Sequence, residues 1–160
     1  MKSESTLTPA RWMLVDDDDG LRAHIAELLA AIAGVEVVSF SSGVEALSVF
    51  TAAPDAFDFI VTDLDMPVMS GLDFCRRIKA IRTDVKILLA TGSGIIAPEE
   101  ARGFGFCGMI RKPFNVATLR SALGAAKAGA EGNGRTRLSA LQAKNHQPNQ
   151  AGTVPVCMAA

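Results

Sequence analysis

The strongest constraint on the fold is the alternation of short apolar runs with stretches of helical periodicity. Five runs of four to six residues are RWMLV at 11–15, VEVVSF at 35–40, DFIVT at 58–62, VKILLA at 85–90 and CGMI at 107–110. They are apolar almost continuously, as expected for strands that are covered on both faces. Strand–helix alternation repeated five times predicts an α/β fold with a parallel sheet and helices on both of its faces.

The segments between the runs place apolar residues at helical spacing. The first helix presents one apolar face, which is formed by Leu21, Ile25, Leu28, Leu29 and Ile32. Similar spacing recurs at 47–50, 74–81 and 119–126, with Asn115 as the N-cap of the last helix. The segment 96–104 has room for only a short helix, which opens at Pro98. Five strands in about 115 residues favour the flavodoxin-like, doubly wound order 2-1-3-4-5 over the Rossmann order.

Composition divides the chain into three parts. Residues 1–10 form a loose polar lead-in, residues 11–127 carry the α/β pattern, and residues 128–160 are rich in Gly, Ala, Asn and Gln. The last part has too few apolar residues for a second core, so we expect a flexible N-terminal segment, one domain and a disordered tail.

Charge, hydropathy and cysteine content narrow the functional classes. The net charge of −1 gives no overall field that would favour nucleic acid. No apolar stretch reaches about 18 residues, so no membrane insertion is expected. The cysteines are widely spaced and form no metal-binding pattern, and we interpret them as reduced thiols of a cytoplasmic protein.

Polar side chains follow four of the five strands. In an open parallel sheet, ligands bind beyond the carboxyl ends of the strands. The residues at those ends are Asp16 and Asp17 after the first strand, Asp63 after the third, Thr91 and Gly92 at the fourth, and Lys112 and Pro113 at the fifth. The second strand ends in SFSSG, which has no ionisable group. In the order 2-1-3-4-5 the second strand lies at the edge, so the other four strands would bring their polar residues to one site.

The chemistry of this set points to a cation and a phosphoryl group. Two carboxylates about 4 Å apart repel by roughly 4 kcal/mol at an effective dielectric constant of 20, so a cluster of three takes up a proton or binds a cation. Oxygen ligands in an open site suit Mg²⁺ better than Ca²⁺. Lys112 and the Thr91 hydroxyl complete a clamp for phosphoryl oxygens, and Asp63 is the candidate nucleophile. Gly92 leaves room for the incoming group, and Pro113 keeps Lys112 extended.

Four segments together resemble the receiver domain of bacterial two-component response regulators. They are VDDD at 15–18, TDLDMPVMSGLDF at 62–74, LLATG at 88–92 and RKPF at 111–114. The resemblance covers roughly residues 11–127. Because all four occur in order and at strand ends, the resemblance is specific.

The resemblance implies a role for each residue. Asp63 would accept a phosphoryl group from a phosphohistidine of a sensor histidine kinase or histidine phosphotransfer protein. The phosphoryl oxygens would be bound by Thr91 and Lys112. The magnesium ligands would be Asp17 directly, Asp16 through water, Asp63 itself and Asp65 through its backbone carbonyl oxygen. The chain would then be a signalling module rather than a turnover enzyme, with output through a downstream protein target.

Two features depart from the receiver pattern. Receivers usually carry Tyr or Phe three residues before the lysine as a switch side chain, whereas this chain has Met109 there and no tyrosine at all. The fourth helix is also short. Both departures lie on the face that commonly signals output.

Two alternative functions fit parts of the sequence pattern. The DLD at 63–65 resembles the Asp-x-Asp pair of haloacid-dehalogenase-type phosphatases, but in those enzymes the pair follows the first strand, and here another acidic pair precedes it. A receiver-shaped scaffold that works without phosphorylation is the second alternative, and the presence of every required side chain argues against it. Asp18 and Asp19 are expected to serve the first helix, with Asp19 as the candidate N-cap, and His24 is expected at the surface.

Overall fold

The computed structural model describes residues 10–128. The expected N-terminal segment lies outside these residues except for its last residue, and the expected tail lies outside them except for its first. Within residues 10–128 no helix combines the length and apolar character needed to cross a membrane.

Ten helices and strands alternate along the described residues. They are β1 Arg11–Val15, α1 Asp19–Ala33, β2 Glu36–Phe40, α2 Gly43–Ala52, β3 Phe59–Asp63, α3 Gly71–Ile81, β4 Lys86–Thr91, α4 Pro98–Gly103, β5 Gly108–Arg111 and α5 Val116–Ala128, with a short 3₁₀ turn at Pro54–Ala56. All neighbouring strands are parallel, and their order is β2-β1-β3-β4-β5. The predicted doubly wound fold is therefore confirmed, and each strand lies within one residue of its predicted bounds.

Each strand sends alternate side chains to opposite faces of the sheet, and this divides the core in two. Met13 and Ile60 face a cluster that contains Phe50 of α2 and Phe74 of α3. The other face carries a second cluster, whose main members are Trp12, Leu14, Phe59, Val61, Ile25, Leu29, Leu119 and Leu123. Both sets are buried, which accounts for the nearly continuous apolar sequence of the strands.

Caps fix where the first and last helices begin. The Asp18 carboxylate accepts a hydrogen bond from the Leu21 amide at 2.8 Å, so Asp18 is the N-cap of α1. The expectation that Asp19 caps this helix is wrong, because Asp18 has the extended backbone of an N-cap, whereas Asp19 is the first helical residue and pairs with Arg22. Asn115 accepts a hydrogen bond from the Thr118 amide at 2.9 Å, as its predicted role as the cap of α5 requires.

Candidate functional site

Three carboxylates meet at the carboxyl ends of β1 and β3. Asp16 directly follows β1 and Asp63 is the last residue of β3, and these two strands are paired neighbours. Oxygen atoms of Asp16, Asp17 and Asp63 lie within 4.8 Å of one another. Asp16 and Asp63 are buried, whereas Asp17 is exposed. The cluster thus has a buried floor and one side open to solvent.

Lys112 joins two of these carboxylates. It follows β5 and reaches past β4, so that its Nζ lies 2.6 Å from Asp16 Oδ2 and 3.2 Å from Asp63 Oδ1. Burial alone would lower the pKa of Lys112, but the hydrogen bond and charge of Asp16, with those of Asp63, outweigh it and raise the pKa. The lysine is therefore held as a cation between two anions.

Asp63 is an incompletely compensated anion. Burial raises the pKa of the Asp63 carboxyl, and the Asp16 charge adds to this, while Lys112 and a hydrogen bond of 2.8 Å from the Leu64 amide act in the opposite direction. The net shift is upward. The positive charge of Lys112 therefore does not offset the free-energy cost of burying the ionised Asp63 carboxylate.

Asp16 is held from three sides. Its Oδ1 accepts a hydrogen bond from the Asp18 amide at 3.0 Å, and its Oδ2 is paired with Lys112. The Arg22 guanidinium donates to the Asp16 backbone carbonyl at 2.8 Å. Sequence reasoning missed Arg22, because spacing along α1 indicates only its ion pair with Asp19.

The loop from β3 to α3 is pressed against the backbone of Asp63. A Cβ atom added at Gly71 would lie 2.1 Å from the Asp63 carbonyl oxygen, and the Gly71 amide donates to the Leu64 carbonyl at 2.8 Å. Only glycine permits so close an approach. In the same loop, Val68 has a positive φ of 69° and a side chain that is 96% exposed.

The end of β4, which is paired with β3, supplies a hydroxyl at the same edge of the sheet. Thr91 is fully buried, and its carbonyl accepts a hydrogen bond from the Lys112 amide at 2.8 Å. Its hydroxyl contacts Ser93, which sequence reasoning did not single out. A Cβ atom added at Gly92 would meet no atom within 4 Å, so this position opens onto free space.

The sequence model of the response regulator receiver domain matches residues 13–124. The chain belongs to the response regulator receiver domain family. The matched range contains each of the residues assembled at the carboxyl edge of the sheet.

Individual relatives agree with this assignment. The chain is 30% identical over 116 residues to the response regulator receiver protein CpdR of Brucella abortus, covering 68% of this chain and 89% of that protein. It is 38% identical over 102 residues to the C4-dicarboxylate transport transcriptional regulatory protein DctD of Rhizobium meliloti, covering 63% of this chain and 22% of the relative. The chain thus spans about a fifth of DctD.

A solved receiver domain has the same fold. The response regulator receiver domain protein from Clostridium thermocellum superposes with a TM-score of 0.68 at 31% identity, covering 76% of this chain and 97% of that one. The family consists of signalling modules of two-component systems, and this chain carries the fold of that module.

Asp65, Pro113 and Met109 are the remaining positions predicted from the sequence. Asp65 is exposed in the β3–α3 loop, and the peptide bond between Lys112 and Pro113 is cis. Met109 is half-buried in β5 and packs against the core cluster under α2 and α3. The position that is aromatic in other receivers thus contributes to the core here.

The donor set fits a hard divalent cation. Three carboxylates offer oxygen ligands and one of them is exposed, an arrangement that suits Mg²⁺ with several retained waters. Within residues 10–128 it is the one cluster of three acidic, histidine or cysteine side chains with such spacing. The upward pKa shift of Asp63 indicates a carboxylate that a cation would stabilise.

Proposed function

We propose that Asp63 accepts a phosphoryl group from a phosphohistidine of a sensor histidine kinase or a histidine phosphotransfer protein, in a reaction that depends on Mg²⁺. The observation that carries the proposal is the meeting of Asp16, Asp17 and Asp63 within 4.8 Å, with Lys112 in contact with two of them. Output through contact with a downstream protein is part of the same proposal.

The surroundings of Asp63 favour one of its oxygens as the nucleophile. Oδ1 accepts a hydrogen bond from the Leu64 amide and lies 3.2 Å from Lys112 Nζ. Oδ2 has no hydrogen-bond donor among the described residues. In the proposed reaction Oδ2 attacks phosphorus, so that a new O–P bond forms while the P–N bond to the partner's histidine breaks. The imidazole nitrogen leaves with the electron pair of that bond and takes up a proton.

The other residues would hold the transferred group and the cation. Lys112 would bind a phosphoryl oxygen through its ammonium group, and Thr91 would donate its hydroxyl to another. Asp17, Asp63 and the Asp65 carbonyl, with Asp16 through water, would hold Mg²⁺, which would neutralise negative charge on the carboxylates and the phosphoryl oxygens. Gly92 and Pro113 would give the group room and keep Lys112 extended.

The proposal also covers domain bounds and location. The pattern of elements supports a receiver that spans residues 11–127, with 1–10 and 128–160 as flanking segments. A cytoplasmic location is supported by the free thiols of Cys75 and Cys107.

Labelling with a small phosphodonor tests the proposal. Wild type and Asp63→Asn are incubated with acetyl phosphate and Mg²⁺, and bound phosphate is measured after acid quenching and again after treatment with base. Wild type is expected to take up about one acid-stable, base-labile phosphoryl group per chain, because it would carry an acyl phosphate, and the variant none. Equal labelling of both chains would overturn the proposal. Many turnovers on an aryl phosphate would instead favour the phosphatase alternative.

A further inference from the structure

The exposed carboxylate of the acidic cluster is placed by its backbone. Within residues 10–128 the Asp17 side chain makes no hydrogen bond or ion pair, whereas the carboxylates of Asp16 and Asp63 both contact Lys112. A carboxylate oxygen of Asp17 nevertheless lies within 4.8 Å of oxygens of both other aspartates. Whatever fixes the backbone at this point therefore decides where the Asp17 carboxylate lies.

The peptide unit between Asp16 and Asp17 is held by a side chain of α1. No backbone amide within residues 10–128 donates to the Asp16 carbonyl, although the Asp16 amide itself donates to the Phe40 carbonyl at 3.1 Å. The partner of the Asp16 carbonyl is Arg22, whose Nη1 donates to it at 2.8 Å. Because the peptide unit is planar, the orientation of this carbonyl also sets the direction in which the chain enters Asp17.

The guanidinium of Arg22 is itself oriented by a second contact. Its Nη2 donates to Asp19 Oδ1 at 2.5 Å, and the Arg22 side chain is only 17% exposed. A guanidinium presents its donors in a fixed planar fork, so the contact with Asp19 helps to aim the other nitrogen at the Asp16 carbonyl. Asp19 and Arg22 both belong to α1, whose start is fixed by the Asp18 cap on Leu21. The first turns of α1 thus hold the loop that carries Asp17.

We propose that Arg22 is a positioning residue for the cation site, which strengthens Mg²⁺ binding by fixing the Asp16 carbonyl and, through it, the place of the Asp17 carboxylate. The inference rests on the cation-binding part of the proposed function and does not need phosphoryl transfer. Charge alone predicts the opposite effect, because a cation bonded to Asp16 repels Mg²⁺ and its removal would tighten binding. The direction of the change therefore separates positioning from simple electrostatics.

A double-mutant cycle on Mg²⁺ affinity tests the role of Arg22. Calorimetric titration gives the Mg²⁺ dissociation constant of wild type, Arg22→Met, Asp17→Ala and the double variant. In the wild-type background, Arg22→Met is expected to raise the dissociation constant about fivefold, the factor that corresponds to the loss of one hydrogen bond. In the Asp17→Ala background the same change is expected to alter it by less than about twofold, because no carboxylate remains to be positioned.

Two further variants identify the contact that matters. Arg22→Lys keeps a cationic donor and is expected to bring the dissociation constant back to within about twofold of wild type. Asp19→Asn removes the charge from the other partner of Arg22 but leaves the bond to the Asp16 carbonyl, and it is expected to bind Mg²⁺ as wild type does. Circular dichroism checks that each variant is folded. Arg22→Gln, which is also neutral, provides the same test if Arg22→Met does not fold.

The outcomes separate this inference from the proposed function. If wild type binds Mg²⁺ but Arg22→Met leaves the dissociation constant unchanged, lowers it, or raises it equally in both backgrounds, the role of Arg22 is overturned and the function of Asp63 is unaffected. If the affinities change as expected but acetyl phosphate does not label Asp63, the proposed function fails and the role of Arg22 is supported. If wild type does not bind Mg²⁺, both fail.

Discussion

The two halves of the sheet's carboxyl edge are built differently. At β1 and β3, the side chains of Asp16 and Asp63 are buried and joined through Lys112, and the Gly71 backbone presses against Asp63. At β4 the chain leaves the sheet through the exposed Gly92, beside which an added atom would meet no neighbour. The buried residues of the β1 and β3 half are thus fixed by close contacts, whereas the chain that leaves β4 has free space around it.

This difference bears on how the domain could signal without an aromatic switch. Met109 packs against the core cluster under α2 and α3 and also lines a surface cavity with Pro98, Arg102 and Ala122. At the end of β4, the buried Thr91 hydroxyl is hydrogen-bonded to Ser93. Short polar contacts between neighbouring residues can be exchanged without repacking a core, in which even a small change of volume is costly.

The largest expected effect is on the rate of phosphorylation at the β1 and β3 half of the sheet's carboxyl edge. Replacement Lys112→Met removes the cation that lies against Asp16 and Asp63, and the labelling rate is expected to fall by about 10²–10³-fold, as when a transition-state donor is lost. Rates are measured with acetyl phosphate at saturating Mg²⁺. Arg111→Met, one residue earlier and exposed, is the matched control and is expected to retain a near wild-type rate. A labelling rate of Lys112→Met equal to that of the control would contradict the account.

The next largest effect is on stability, and it compares the packing around Gly71 with the packing around Gly92. Gly71→Ala would place a methyl group 2.1 Å from the Asp63 carbonyl oxygen, and the overlap is expected to lower the free energy of unfolding by about 3 kcal/mol. Gly92→Ala meets open space and is expected to change it by less than about 0.5 kcal/mol. Urea denaturation of the two variants makes the comparison. Equal losses would show that the two halves do not differ in packing.

A smaller effect concerns the exposed carboxylate. Asp17→Asn removes one anionic ligand from the cluster of three, and the Mg²⁺ dissociation constant is expected to rise by about tenfold. Asp19→Asn is the control, because Asp19 lies in the first turn of α1 and outside the cluster. Calorimetric titration measures both affinities. Equal affinities in the two variants would place the cation elsewhere.

The smallest effect is expected at Met109 in β5. Met109→Phe places an aromatic side chain at this half-buried position, and the labelling rate is expected to change by less than about twofold, because Met109 packs with the hydrophobic cluster under α2 and α3 and is not a member of the acidic cluster. Initial rates with acetyl phosphate are compared with those of wild type. A change as large as that caused by Lys112→Met would remove the distinction between the two halves.

The fold and the meeting of the site residues could be predicted because both follow from periodicity and strand order. Once the order is 2-1-3-4-5, the carboxyl ends of β1, β3, β4 and β5 are neighbours for any conformation of the loops. The sequence pattern puts Asp63 directly after the third strand, whereas the structure includes it in β3, because its pairing with Ala90 continues the ladder by one residue.

Other features depended on loop geometry that periodicity does not encode. The choice of Asp18 over Asp19 as N-cap is decided by the backbone of one residue. The contact between Gly71 and Asp63 requires the exact path of the β3–α3 loop, although the glycine itself signalled a tight turn. The pair Thr91 and Ser93 did carry a signal, since hydroxyl residues two positions apart often bond locally, but that pattern is too common to select one pair.

Mapping the modified residue tests the central claim most directly. Wild type labelled by acetyl phosphate in the presence of Mg²⁺ is treated with borohydride, which reduces an aspartyl phosphate to homoserine, and the peptides are sequenced by mass spectrometry. The account predicts homoserine at position 63 and unchanged aspartate at positions 16 and 17. Homoserine at position 16 or 17 with aspartate retained at 63, or phosphate on His24, would contradict it.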